Sequence, residues 1–228
     1  MIQRIELPAF AKLNLVLRVL HRRSDGYHEL ETLFERIDLA DTLTFEPHPG
    51  EIALTCSEPG LSCGEENLVM QAARLLQQQA GRRHGARIHL VKRIPIAAGL
   101  GGGSSDAATT LVGLSRLWNL DYSRDQLGRL ADRLGSDAPF FLQEAPFAIG
   151  RERGNRCEPV QPPPPTFWHV LVVPDARLST RDVYAAGDDA RRDEGVQTDL
   201  TAPTSSITMA LHALRNGSLG ELAEGLWN

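Results

Sequence analysis

Four groups of residues in this 228-residue chain have types and spacings that could do chemistry. The sharpest is Pro95-Ile96-Ala97-Ala98-Gly99-Leu100-Gly101-Gly102-Gly103-Ser104-Ser105-Asp106. Four glycines in five residues let the backbone take positive φ and approach a ligand closely. Backbone N–H groups there, feeding a helix N-terminus, form an anion cradle suited to a phosphate. A flexible glycine-rich turn is the competing reading. Two common phosphate fingerprints fail by position. A Rossmann G-x-G-x-x-G starting at Gly99 needs glycine where Ser104 stands, and one starting at Gly101 needs it where Asp106 stands. No lysine follows the glycines as a Walker loop requires.

Lys12 and Asn14 form the second group, one pleat apart on one face of an alternating segment at 11–20. A lysine beside an acceptor hydroxyl stabilises the developing alkoxide and the transferring charge. An exposed strand-edge charge is the alternative. Asp137, just past the helix-ending Gly135, reads either as a general base or as an N-cap. Tyr27 and His28 follow the Asp25-Gly26 turn signal. A flat aromatic beside an imidazole can stack on a pyrimidine and read its edge, or simply belong to a solvated turn.

The elements that must position these residues follow from periodicity. Leu13, Leu15, Leu17 and Val19 share one face of the 11–20 strand. Ile52–Leu54 and Arg87–Val91 predict further short strands, and Leu68, Ala72, Leu75 and Leu76 a helix stopping at Gly81. Ala107, Leu111, Leu114 and Trp118 predict an amphipathic helix after the glycine run, with Ser104 or Ser105 as N-cap. Ser123-Arg124-Asp125-Gln126 is a capping box for the next helix. Gln161 and Pro162–Pro165 read as a stiff spacer, beyond which Trp168–Val173 starts a new strand. This predicts an N-terminal domain over 1–160 and a C-terminal domain over 161–228. Strands and helices interleave without a regular βαβ beat, so the fold class is α+β.

Composition narrows the function. With 42% hydrophobic and 23% charged residues the chain is globular. Its net charge of −5 argues against general nucleic-acid binding but leaves room for a nucleotide pocket. Cys56, Cys63 and Cys157 form no C-x-x-C pair, which fits a reducing cytoplasm and excludes a cysteine-rich zinc site. No apolar run approaches the ~18 residues of a membrane span, and the N-terminus lacks signal architecture.

The run P-x-x-x-G-L-G-G-G-S-S resembles the phosphate loop of the small-molecule kinases that group galactokinase with homoserine, mevalonate and phosphomevalonate kinases. Ala11-Lys12-Leu13-Asn14-Leu15, Asp25–His28, Leu134–Phe141 and Ser179–Tyr184 resemble further family blocks, in family order. The resemblance implies a two-domain kinase with its active site in the cleft between domains. It also implies ATP as co-substrate, with Mg²⁺ carried on the nucleotide; no acidic cluster marks metal ligands. The wording GLGGGSSDAA is similar to the branch that phosphorylates the 2-hydroxyl of a methylerythritol linked to cytidine diphosphate, in non-mevalonate isoprenoid synthesis. Homoserine or mevalonate kinase activity, or a non-catalytic nucleotide-binding role, are the alternatives.

Carried over residue by residue, the resemblance implies Lys12 and Asp137 as catalytic. Pro95, Gly99, Leu100, Gly101, Gly102, Gly103, Ser104 and Ser105 would hold ATP phosphates, and Asn67 and Lys92 would border its adenosine. Asn67 as an N-cap and Lys92 as a strand-end charge are the alternatives. Asn14, Tyr27, His28, Thr180 and Tyr184 would contact the acceptor substrate, the two tyrosines sandwiching its base. Phe34 reads as pocket wall or core. Two departures stand out. The family's A-x-G-x-G-E stretch is disturbed at Ala148–Asn155, and nothing after Tyr184 resembles its third glycine motif. The chain is therefore expected to be a fragment lacking the last fifth or more of the family length.

Overall fold

The computed structural model describes residues 4–81, 84–174 and 205–225. Its elements are β1 (Ile5–Arg22), β2 (His28–His48), β3 (Ile52–Cys56), α1 (Leu68–Ala80), β4 (Gly85–Val91) and α2 (Gly102–Leu117). These are followed by α3 (Arg124–Asp132), α4 (Ala138–Phe141), β5 (Phe147–Arg151), β6 (Arg156–Pro159), α5 (Ser205–Asn216) and α6 (Leu219–Gly225). Helices and a mixed sheet make the class α+β, as the sequence predicts.

The contacts divide the chain into two compact units, each discontinuous in sequence. The first gathers Met1–Lys12, Arg36–Ile94 and Gly101–Glu144; the second gathers Leu13–Glu35, Pro95–Leu100 and Ala145–Asn228. The sequence drew a single cut at 160/161. The units cross that cut because β1 and β2 each contribute residues to both.

In the first unit β4 runs antiparallel to β2, from Thr42 opposite Val91 to His48 opposite Gly85, and parallel to β3. Leu43, Phe45, Ile88 and Leu90 bury their side chains with Leu76 of α1 and Leu111 of α2. Asn67 caps α1 by accepting from Val69 N–H at 2.9 Å, and Gly81 ends it in the left-handed conformation. The capping box of α3 is present, Ser123 and Gln126 each bonding the other's backbone.

In the second unit β5 pairs antiparallel with β2, from Thr32 opposite Gly150 to Glu35 opposite Phe147, and with β6. Leu15, Val16, Leu33, Phe147 and Val160 form a separate core with Ile207 and Leu214 of α5.

Three expectations change. Neither Ser104 nor Ser105 caps α2, which begins two residues earlier behind Gly101, whose φ is +71°. Gly102 and Gly103 can form the first turn because they carry no side chain: a Cβ on Gly102 would lie 3.1 Å from Ile94. Trp168–Val173 forms no strand. Its alternation is real, and Trp168 is 99% exposed, but among the described residues no neighbour supplies the ladder that defines a strand. Finally, β2 runs 21 residues through a region where the sequence predicts no strand. Both faces of β2 carry buried side chains, which erases the alternation that marks a half-exposed strand.

Candidate active site

Helix α2 organises the first unit's polar residues. The opening N–H groups of a helix have no carbonyl in a preceding turn, so they point outward as donors with partial positive charge. Here the first intrahelical bond of the turn is from Ser105 N–H to the Gly101 carbonyl, at 2.9 Å. The N–H groups of Gly102, Gly103 and Ser104 therefore open the helix, behind a bend in which Gly99 and Gly101 both take positive φ. That is the geometry of a phosphate cradle.

Lys12 reaches this cradle from β1. A Cβ added to Gly101 would sit 3.0 Å from Lys12 Cγ and 2.9 Å from Phe141 Cζ, so the lysine stem and the phenyl ring pack directly on the loop. Lys12 Nζ lies 3.6 Å from Asp137 Oδ2. Asp137 occupies the position before α4 yet makes no capping hydrogen bond with its side chain. Its carboxylate faces the ammonium, with enough exposure to meet a ligand. The Asp137 loop also touches the cradle, for a Cβ on Gly135 would lie 3.2 Å from Ser104 Oγ. A cation, a carboxylate and an anion-binding helix end thus converge, which is what phosphoryl transfer to a hydroxyl requires.

Beneath the cradle lies a buried charge cluster that sequence reasoning missed. Lys92 Nζ donates to Asp41 Oδ2 and, at 2.9 Å, to Asp106 Oδ2. Asp41 is wholly buried, and its Oδ1 also accepts the Arg93 and Ile94 backbone N–H groups, at 2.5 and 2.9 Å. Burial pushes the Asp106 carboxyl up to about 7, against the pull of the Lys92 ammonium. Burial also draws Lys92 down, but the two carboxylates outweigh it and hold the ammonium above its ordinary value. Asp106 Oδ1 and Ser105 Oγ are buried and find no hydrogen-bond partner among the described residues. The signal for Asp41 was present: a lone carboxylate inside a strand is out of place unless something holds it.

The second unit holds other predicted residues. Asn14 Nδ2 donates to Thr32 Oγ1 at 2.7 Å, and that hydroxyl donates to the Val16 carbonyl at 2.7 Å, which fixes the asparagine amide. Tyr27 is half-exposed on a tight turn, its N–H bonded to Asp25 Oδ1 and its carbonyl accepting from Arg23 N–H. The Arg153 guanidinium carbon lies 4.7 Å from the Tyr27 ring centroid, a contact that sequence reasoning did not foresee. His28 follows Tyr27 at the start of β2. Phe34 is buried in the core, where it packs on Gly150. Pro95, Gly99 and Leu100 fall in the loop segment grouped with this unit. Thr180 and Tyr184 lie outside the described residues.

Among the first unit's remaining candidates, Asn67 serves as the α1 cap, its Nδ2 also donating to the Ser62 carbonyl at 2.7 Å. Lys92 is held between carboxylates rather than left as a strand-end charge.

Comparison with known proteins adds an independent line. Residues 67–144 match the GHMP kinases N terminal domain. A 4-diphosphocytidyl-2-C-methyl-D-erythritol kinase from Aromatoleum aromaticum is 46% identical over 204 residues, covering 88% of this chain and 70% of its own. A relative of the same name from a Shewanella strain is 46% identical over 179 residues, 78% of this chain and 62% of its own. A crystal structure of 4-(cytidine 5'-diphospho)-2C-methyl-D-erythritol kinase superposes with a TM-score of 0.70 at 41% identity, covering 93% of this chain and 72% of that one.

Proposed function

Because this chain belongs to the 4-diphosphocytidyl-2-C-methyl-D-erythritol kinase family, we propose that it phosphorylates the 2-hydroxyl of 4-diphosphocytidyl-2-C-methyl-D-erythritol with ATP, a step of non-mevalonate isoprenoid synthesis. The chain spans 62–70% of the length of the two relatives described above. The observation that carries the proposal is the packing of the Lys12 stem on Gly101, with its ammonium 3.6 Å from Asp137.

On this reading the Gly102, Gly103 and Ser104 N–H groups bind the nucleotide phosphates. Asp137 accepts the proton of the acceptor hydroxyl as its oxygen bonds to the γ-phosphorus, and the bond to the β-phosphate oxygen breaks to release ADP. Lys12 keeps Asp137 ionised and offsets charge on the transferring group. Among the described residues no three His, Cys, Asp or Glu side chains converge to hold a metal. Mg²⁺ therefore arrives with the ATP phosphates, whose charge it screens. Tyr27, braced by Arg153, stacks on the cytosine, and His28 reads its edge. Cys56, Cys63 and Cys157 are free thiols, which suits a cytoplasmic enzyme.

The test is ADP release with three acceptors in parallel: the cytidine substrate, homoserine and mevalonate. Turnover is expected with the first alone. Turnover with homoserine or mevalonate instead overturns the substrate assignment, and none with any acceptor overturns the kinase activity of this chain.

A further inference from the structure

Lys92, Arg93 and Ile94 are the last residues before the glycine loop, and Gly101–Asp106 are the first after its bend. One side chain ties both ends together. Asp41, from the middle of β2, takes the Arg93 and Ile94 N–H groups on Oδ1 and the Lys92 ammonium on Oδ2. The same ammonium passes on to Asp106 Oδ2 in the first turns of α2. All of these atoms are buried, where such bonds are strong and their loss is costly.

We propose that Asp41 is a positioning residue for nucleotide binding, setting through Lys92 the spacing between the strand end that enters the glycine loop and the helix turn that leaves it. This rests on the loop's role as the nucleotide site. The tolerance is small: the Gly102 Cα hydrogen side faces Ile94 and Lys92 so closely that a Cβ there would lie 3.3 Å from Nζ. A shift of the ammonium therefore moves the N–H groups that would face the phosphates. Mis-setting binding groups by about an ångström is enough to cost orders of magnitude in function. Asp41 itself touches no ligand on this account.

Asp41→Asn keeps the Oδ1 acceptor for both backbone N–H groups and removes only the charge that holds Lys92. Titration calorimetry with ADP on the full chain reads the affinity and the binding-competent fraction separately. The expected result is a Kd raised about tenfold or more at unchanged stoichiometry. A stability role alone gives the reverse, a lower stoichiometry at unchanged Kd, and overturns the proposal. Lys92→Met and the double variant complete a cycle. Without the ammonium, Asp41 and Asp106 confront each other, so adding Asp41→Asn to Lys92→Met is expected to bind ADP no worse than Lys92→Met alone. Independent, multiplying losses overturn the proposal, and this comparison serves if Asp41→Asn alone does not fold. Should the unmodified chain bind no ADP, the nucleotide assignment of the loop falls; binding by the unmodified chain with an unchanged Kd in Asp41→Asn removes the Asp41 role alone.

Discussion

Lys12 Nζ stands 3.6 Å from Asp137 Oδ2, and of the two it is the lysine that is buried, 6% exposed against 31%. The asymmetry matters for catalysis. A buried cation facing a more open carboxylate keeps that carboxylate ionised while leaving it room to meet a substrate hydroxyl. Asp137→Asn is expected to lower kcat by at least ~10²-fold, the usual worth of a positioned base. ADP affinity should stay within about twofold. Near-normal turnover in steady-state assays removes Asp137 from the chemistry.

Gly101 and Gly99 both take positive φ, but they differ in what surrounds them. A Cβ on Gly101 meets Phe141 and Lys12, whereas one on Gly99 meets nothing within 4 Å. Gly99→Ala should therefore cost only the ~1–2 kcal/mol of a strained backbone. Gly101→Ala should cost more and also displace Lys12, with a larger fall in kcat. Equal effects of the two substitutions on melting and turnover would contradict this packing.

Asp106 gives a pH dependence with a defined sign. Its carboxyl sits at about 7 in the folded chain against an ordinary value of 3.8. The folded state therefore holds this proton more tightly than the unfolded state. Stability from this group falls as pH rises between about 4 and about 7, and levels off above. Asp106→Asn should flatten the melting temperature across that window relative to the parent chain. An unchanged slope would assign the dependence to other groups.

Tyr27 is presented by a hydrogen-bonded turn and backed by Arg153. Tyr27→Ala should weaken the cytidine substrate by about 1–3 kcal/mol, the range for base–aromatic stacking. ADP binding should not change. Parallel losses for both ligands, measured by calorimetry, would mean the turn is structural only.

Much of this was legible in the residues. The glycine run carries its own conformational signature, and the caps at Asn67, Gly81 and Ser123 appear where local chemistry places them. The α2 start was misplaced because serines are good caps in general, while here close packing of Ile94 and Lys92 admits only glycine. Asp41 was invisible for another reason: its three partners, at 92, 93 and 94, lie some fifty residues away in sequence. The Arg153–Tyr27 contact is equally non-local. Periodicity reports which face a residue occupies, not which distant chain arrives to meet it.

The core of the second unit joins Leu15 and Val16, near the start of the chain, to Ile207 and Leu214 of α5. Such pairings span almost the whole sequence, and closing loops of that length is slow. During synthesis the first unit's residues have all been delivered once Glu144 emerges from the ribosome. The apolar side chains of β1 that belong to the second core must wait some sixty residues more, through the proline spacer, before α5 exists to cover them. The nascent chain thus carries one finished core and one open seam, and that interval is when it depends most on chaperones.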